Sequence, residues 1–419
     1  MPLNIARYNG WIPSPVVYDA FIKDAVQIAT RRNAASAEHV ASVKKFQEAI
    51  EADDTMVELF KSVFRQTPDT PNKIRNFEHM LHLFDSIVTV PPQFKVVQEH
   101  GVSEPIGVPM YLVFDLLSNT SAAYDLFRMP AFNAALKELL CDWGAYLKTD
   151  DSNKTLHDQP GGWFSQAALS SLEAGRGVFN ETYILPNPDA VNRGYQSWDD
   201  FFTRRIRVDK RPILLSEGKS VIYNACESTV ERISRNVQAH DLFWLKGTMA
   251  YSLYDMFAGD RETADQFVGG TVYQAFLSPQ DYHRWHSPIA GKVVNPRVIP
   301  GTYYAVVPDE GDDGDMRGAL IRCQPWLTVA ATRAVMTIVA DDPKIGTVGF
   351  IGVGMAEVST CHLSVRDGDT VKPGDELGMF HFGGSSHTII YGPQASPTFT
   401  DEVQVGQHLH VNRIIAAIE

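Results

Sequence analysis

Apolar residues recur at helical spacing through the first part of the chain. Between Val16 and Ile28 they fall at Val17, Phe21, Ala25 and Ile28, which predicts an amphipathic helix. The same period runs from Ala41 to Phe64 through Val43, Phe46, Ile50, Val57, Leu59, Phe60 and Phe64. Asn76–Val88 and Tyr111–Leu147 carry further helical patterns, punctuated by Pro105, Pro109 and Pro130. A polar stretch from Thr149 to Gly162 reads as a linker, Phe164–Ala174 as a short helix, and Leu185–Asp189 as a second loop.

After about Ile213 the period changes. Short β-branched and aromatic runs alternate with Gly, Pro and Asp turns at Ser220–Asn224, Gly270–Leu277, Lys292–Val298, Tyr303–Val307, Leu320–Cys323, Val335–Ala340, Thr347–Val353 and Glu357–Val365. That spacing predicts a mainly antiparallel β domain, with one helix near Ser252–Ala258. The fold class is therefore α+β: a helical region over residues 1–190, then a β-rich domain over 191–419. Pro308–Gly318 is acidic and Gly-rich; it lacks the spacing of an EF-hand calcium loop and reads as a solvated loop.

Composition narrows the function classes. The 419 residues are 44% hydrophobic, enough for a sizeable core and too many for global disorder. The net charge of −13 argues against nucleic acid and against adsorption on anionic membranes. Cys141, Cys226, Cys323 and Cys361 form no CxxC pair, no secretory leader is apparent, and no apolar run approaches the ~20 residues that span a bilayer. A soluble, reducing, cytoplasmic setting with unpaired thiols is the expectation.

Two stretches carry candidate chemistry. Gly383-Gly384-Ser385-Ser386 interrupts an apolar run between Met379 and Ile390, where glycine pairs ordinarily mark a tight turn. About a hundred residues upstream lies Asp281-Tyr282-His283-Arg284-Trp285-His286-Ser287-Pro288. Pro279 and Pro288 bracket the two histidines, which predicts an extended loop. His-x-x-His can bind metal, but no third ligand stands at a telling spacing, so no metal is assigned. His408 and His410 share a face if Gln407–Val411 is a strand, and read as structural or surface residues. His381 and His387 flank the tetrad and could tune it.

Taken in order, the motifs resemble the phosphatidylserine decarboxylase family. They are Trp198-Asp199-Asp200-Phe201-Phe202 with Arg211-Pro212-Ile213, Lys246-Gly247 with Tyr251-Ser252-Leu253, the histidine stretch, and Gly374–Gly378 leading into the tetrad. Gly10-Trp11 and Gly161-Gly162-Trp163 are similar to the soluble fungal branch that decarboxylates L-tryptophan. The resemblance implies self-cleavage between Gly384 and Ser385. The Ser385 hydroxyl attacks the Gly384 carbonyl, and amide becomes ester. Elimination then leaves dehydroalanine, and hydration with loss of ammonia leaves a pyruvoyl group on a 35-residue fragment, residues 385–419. The hydroxyl needs a base. By resemblance this is His286, oriented by Glu227 where the family has aspartate, while His283 acts in turnover as a proton donor. The pyruvoyl group is an electron sink for an α-amino carboxylate, so no external cofactor is implied.

The implied function is decarboxylation of an aromatic L-amino acid, L-tryptophan to tryptamine first, with phosphatidylserine as the alternative substrate. The implied partner is that small molecule; a homo-oligomer is also an open expectation. A rival class is a carrier module. Ser287–Val293 and Val365–Asp375 look like the half-motifs of biotinyl and lipoyl domains, but the place of the modified lysine is taken by Phe382–Ser386. The half-motifs therefore predict barrel-sandwich character without carrier function. A scaffold that never matures is the remaining rival.

Overall fold

The computed structural model describes residues 11–68, 73–216, 218–241, 250–311, 315–358 and 360–419. The chain divides into two units. One comprises residues 1–174, 185–201 and 302–323; the other 175–184, 202–301 and 324–419.

Helices dominate the first unit. Helix α1 (Pro15–Ala34) starts with a proline, whose missing N–H costs nothing at that position. The apolar pattern of 41–64 is two helices, α2 (Ala41–Glu51) and α3 (Asp54–Gln66). Asp53 separates them because its carboxylate accepts the N–H groups of Thr55 and Met56 and caps α3. Helix α4 (Phe77–Ile87) is capped likewise by Asn76. A hairpin that the pattern did not predict follows, β1 (Gln93–Val97) and β2 (Val102–Ile106), turning at Gly101 with φ 62°. The pattern of 111–147 is three helices, α5 (Pro109–Ser118), α6 (Ser121–Leu126) and α7 (Pro130–Leu147). Phe46, Phe60, Phe114, Phe127 and Phe132 pack edge-on or stacked at their centre. The expected linker at 149–162 contains a 3-10 turn, Asp150–Thr155, pinned by the buried Ser152 hydroxyl. Helix α8 is Gln166–Glu173.

Two expected strands are absent. Leu320–Cys323 lies at a short helix, Ala319–Arg322, that starts from Gly318 at φ 84°. Tyr303–Val307 is buried outside the described strands, with Tyr304 against Phe114 at 4.7 Å. Both belong to the first unit. A run this short cannot reveal whether a sheet or a helical layer buries it. In the acidic loop, Asp309 pairs with Arg322 and Asp315 with Arg317, so these carboxylates are clasped; residues 312–314 lie outside the described residues.

The second unit is antiparallel. Its strands are β3 (Ser220–Tyr223), β4 (Ser228–Arg235), β5 (Thr271–Leu277), β6 (Arg284–His286), β7 (Gly291–Ile299), β8 (Arg333–Ala340), β9 (Thr347–Met355), β10 (Thr360–Leu363), β11 (Thr370–Val371), β12 (Glu376–His381), β13 (Gly384–Tyr391), β14 (Thr398–Phe399), β15 (His408–Leu409) and β16 (Ile414–Ile418). Eight of them form one sheet in the order β11-β7-β8-β9-β13-β5-β4-β15. Its two ends stay open, so no barrel closes among the described strands. Two three-stranded sheets, β10-β12-β6 and β14-β16-β3, complete the set. The predicted helix near 252–258 is Leu253–Met256. The core gathers Trp285, Tyr273, Phe350, Phe380, Ile389 and Tyr391. Gly378 admits the Trp285 indole: a Cβ there would come within 2.7 Å of the ring and 2.3 Å of the His362 carbonyl oxygen. No described helix is long and apolar enough to cross a membrane, and all four cysteines are free thiols.

Candidate active site

Strand β13 lies in the middle of the large sheet, paired with β9 on one side and β5 on the other. Ser385 stands opposite Gly354 and Leu277. A strand covered in this way is expected to be apolar. Instead Ser385, Ser386, His387 and Thr388 follow one another, each 0% exposed. Burying such a group without a hydrogen bond costs ~1–3 kcal/mol. Ser386 has one, from Gln274 Nε2 at 3.2 Å. Ser385 Oγ, Thr388 Oγ1 and both ring nitrogens of His387 have none. Burial pushes the His387 imidazole down to about 3, so it is neutral.

The tetrad is not a turn. Its first glycine, Gly383, has φ 119°, a conformation a side chain would strain, and Phe382 before it has φ 20°. Gly384 is already paired with Met355. The distortion therefore sits one residue ahead of Gly384. His381 ends β12, its ring 6.0 Å from His362.

The two histidines of the upstream stretch are held differently. Arg284–His286 is strand β6, where an extended loop was expected, because Arg284 and Trp285 pair with Met379 and Gly378 of β12 and the Arg284 guanidinium clasps Glu376 at 2.9 Å. The ring of His283 is fully buried and stacks on Phe202 at 4.1 Å. Its Nδ1–H donates to the Asp281 carbonyl at 3.0 Å, which leaves Nε2 a bare lone pair with no partner. Burial pushes its imidazole down to about 3. The His283 carbonyl accepts the N–H of Phe380, five residues before Ser385. His286 donates from Nδ1 to the Gly374 carbonyl at 2.6 Å, and its Nε2 accepts the Tyr282 hydroxyl at 2.9 Å. Burial holds it below the ordinary histidine range.

Glu227 is also fully buried, but its carboxylate does not bond to His286. It receives the Arg211 guanidinium, with Nη2 at 2.5 Å, and the Val411 N–H at 2.8 Å. Burial alone would raise its carboxyl; the hydrogen bonds and charge of Arg211 outweigh this and hold it below the usual range. The Glu227 segment and β6 do adjoin, since His286 N–H donates to the Ala225 carbonyl.

Sequence reasoning passed over a second buried carboxylate. Asp281 binds Arg176 Nε at 2.5 Å, His408 Nε2 at 3.1 Å and the Ser278 N–H at 2.7 Å. Against the cost of burial, Arg176 and His408 hold its carboxyl well below the usual range. It fixes the backbone turn whose carbonyl sets the His283 tautomer. The signal was its place two residues before His283. His408 is thus tied to this turn, and His410 bonds the Gly175 carbonyl. Lys246-Gly247 and Gly10 lie outside the described residues.

The Arg211–Glu227 pair makes a measurable prediction. Arg211→Met leaves a buried carboxylate unpaired and lowers unfolding free energy by ~3–5 kcal/mol at pH 7. A depressed carboxyl contributes stability that is present above its unfolded pKa of ~4.3 and lost as pH falls through the folded value. In the variant, burial, still opposed by the Val411 N–H, favours the protonated acid. The deficit against wild type therefore shrinks towards pH 4, which denaturant unfolding at the two pH values reads. A deficit equal at both would remove the electrostatic explanation.

A family model described as phosphatidylserine decarboxylase matches residues 198–417, and another of that description matches 40–172. The chain belongs to the phosphatidylserine decarboxylase family. It is a decarboxylase of that family, whose members are pyruvoyl-dependent carboxy-lyases. The decarboxylase iboD of Amanita muscaria is 53% identical over 348 residues, covering 80% of this chain and 99% of that protein. An L-tryptophan decarboxylase of Psilocybe cubensis is 32% identical over 432 residues, 99% of this chain and 95% of the relative. Phosphatidylserine decarboxylase proenzyme 3 of Schizosaccharomyces pombe is 28% identical over 203 residues, 48% of this chain but 19% of that longer protein.

Proposed function

We propose that the chain cuts itself between Gly384 and Ser385, that residue 385 becomes a pyruvoyl group, and that the matured enzyme decarboxylates an aromatic L-amino acid, L-tryptophan first. The observation that carries this reading is the unpartnered Ser385 hydroxyl, buried at the start of a central strand behind the strained Gly383. Local rules broken without structural gain mark functional positions. When formed, the pyruvoyl group supplies an electron sink as CO₂ leaves. The chain's own residues supply the rest. Asp281 holds His283 in one tautomer, and the free Nε2 takes up and returns a proton. Tyr282 and Gly374 orient His286 as the base for maturation. Glu227, tied to Arg211, acts on His286 through its charge, because it makes no hydrogen bond to it.

The carrier half-motifs serve this fold. Gly291 and Lys292 pair with Val371 and Thr370, and Ser287 exchanges hydrogen bonds with Gly374 and Asp375. This pairing supports lipoyl-like, barrel-sandwich character around the site, with no lysine in the carrier position.

Three observations favour a free amino acid over a phospholipid: the tryptophan-decarboxylating relatives, a net charge of −13, and no described helix fit to span a membrane. The phospholipid remains the second reading because both family models bear its name. The test offers the matured enzyme L-tryptophan, L-phenylalanine, L-tyrosine, and phosphatidylserine in detergent micelles, and quantifies each amine. Tryptamine is expected to form about tenfold or more faster than the lipid product. Faster ethanolamine lipid would reverse the assignment.

A further inference from the structure

The first unit holds a polar cluster that the decarboxylase reading does not use. His39 precedes α2; Glu78, His82 and Asp85 lie on α4. The side chains of His39, His82 and Asp85 are 7%, 2% and 0% exposed, and that of Glu78 is 48%. The two imidazoles lie against each other, centroids 4.4 Å apart.

All four ring nitrogens face carboxylate oxygens. The Nδ1 atoms of His39 and His82 lie 2.8 and 3.2 Å from Asp85 Oδ2. The Nε2 atoms lie 3.1 and 3.5 Å from Glu78 Oε1. Two neutral imidazoles own two N–H groups, so two of the four contacts would set lone pair against lone pair. Two imidazolium rings would satisfy all four, but would bury like charges side by side. One imidazolium beside one neutral ring satisfies the three hydrogen bonds of 2.8–3.2 Å and leaves the 3.5 Å contact of His82 Nε2 with Glu78 unmade. A divalent cation on the Glu78 side removes the conflict. Both Nδ1–H groups then donate to Asp85, and both Nε2 lone pairs and Glu78 bind the ion.

We propose that His39, Glu78 and His82 form a binding site for a divalent metal of the zinc class. Two imidazoles and a carboxylate suit that class, and three protein ligands leave a fourth position for water. Metal–ligand bonds of about 2.1 Å in a tetrahedron set ligand atoms about 3.4 Å apart, close to the 3.1 and 3.5 Å that separate Glu78 Oε1 from the two Nε2 atoms. Asp85 is the carboxylate that orients both imidazoles from behind, as metal-binding histidines require. The ion does not belong on the Asp85 side: Arg32 already lies 3.0 Å from Oδ2, and the Val40 N–H 2.9 Å from Oδ1. Half-exposed Glu78 provides the entry path. The three ligands tie the loop at His39 to α4.

The test uses the full-length protein, stripped with a chelator and titrated with cobalt(II). One equivalent is expected to produce visible d–d bands that zinc(II) abolishes. Zinc at a hundredfold excess over Kd is expected to raise Tm by about 3 °C. His82→Ala removes binding, and Asp85→Asn weakens it about 10–100-fold. Glu78 is solvent-facing, so Glu78→Gln keeps the fold in any case and is expected to weaken binding at least about tenfold. No saturable cobalt spectrum in the wild type overturns the site, as does affinity unchanged in both Glu78→Gln and His39→Gln. These readouts are optical and thermal, and stand apart from decarboxylation.

Discussion

Ser385→Ala is expected to yield one uncut 419-residue chain with no decarboxylase activity, while the wild type yields fragments of 384 and 35 residues. The variant separates chemistry from stability. The Ser385 hydroxyl is buried and bonded to nothing, so removing it forfeits no hydrogen bond and spares a desolvation cost of ~1–3 kcal/mol. The unfolding midpoint of the variant should then equal or exceed that of uncut wild type. Activity falls to zero because the atom that starts the acyl shift is gone, and without that shift residue 385 cannot become dehydroalanine and then the pyruvoyl group. Intact-mass measurement beside a decarboxylase assay decides the matter. A wild-type chain of full-length mass with full activity would sink the maturation reading.

The histidines should divide the two stages of the enzyme's life. His283→Ala is expected to cut at least partly yet lose ~10²–10⁴-fold in turnover, the usual contribution of a positioned acid–base group. His286→Ala, and to a lesser degree Glu227→Ala, should slow the cut itself. The structure adds a pH signature. With its imidazole pushed down to about 3, His283 in the uncut chain stays neutral through ordinary buffers. It therefore starts as an acceptor, and donates only a proton it has first taken. An acid limb near pH 6.5 that vanishes in His283→Ala would contradict that order of events. Normal cutting together with normal turnover in His283→Ala would remove the residue from the mechanism.

The apolar pattern made the helices readable where their faces meet one core, as in α1, α2 and α4. It failed where caps decide. Asp53 splits one periodic run into two helices through its own side chain, and periodicity does not register a cap. The hairpin β1–β2 was invisible because its strands are short, with Pro105 within one of them. Leu320–Cys323 looked like a strand because a run of three apolar residues around Arg322 fits either element. Among the candidate site residues, Ser385, His283 and His286 were legible only as a family pattern; spacing alone favoured a turn and a surface loop. The partners were not legible. Arg211 reaches Glu227 across sixteen residues, and Arg176 reaches Asp281 across more than a hundred. Such contacts are set by how strands stack. The His39 cluster escaped for the same reason, since His39 and His82 belong to different elements.

Strand β13 is gripped along its whole length by β9 and β5, and β15 and β16 are held by β4 and β3. If the proposed cut before Ser385 is made, this pairing leaves the tail in place, but the cut changes what folding means. Before the cut, one chain finds its structure alone. Afterwards the central strand belongs to a separate peptide, and regaining the sheet from the unfolded state becomes a bimolecular search that weakens with dilution. The active molecule then persists through the slowness of its unfolding, and the unbroken precursor is the form equipped to build it.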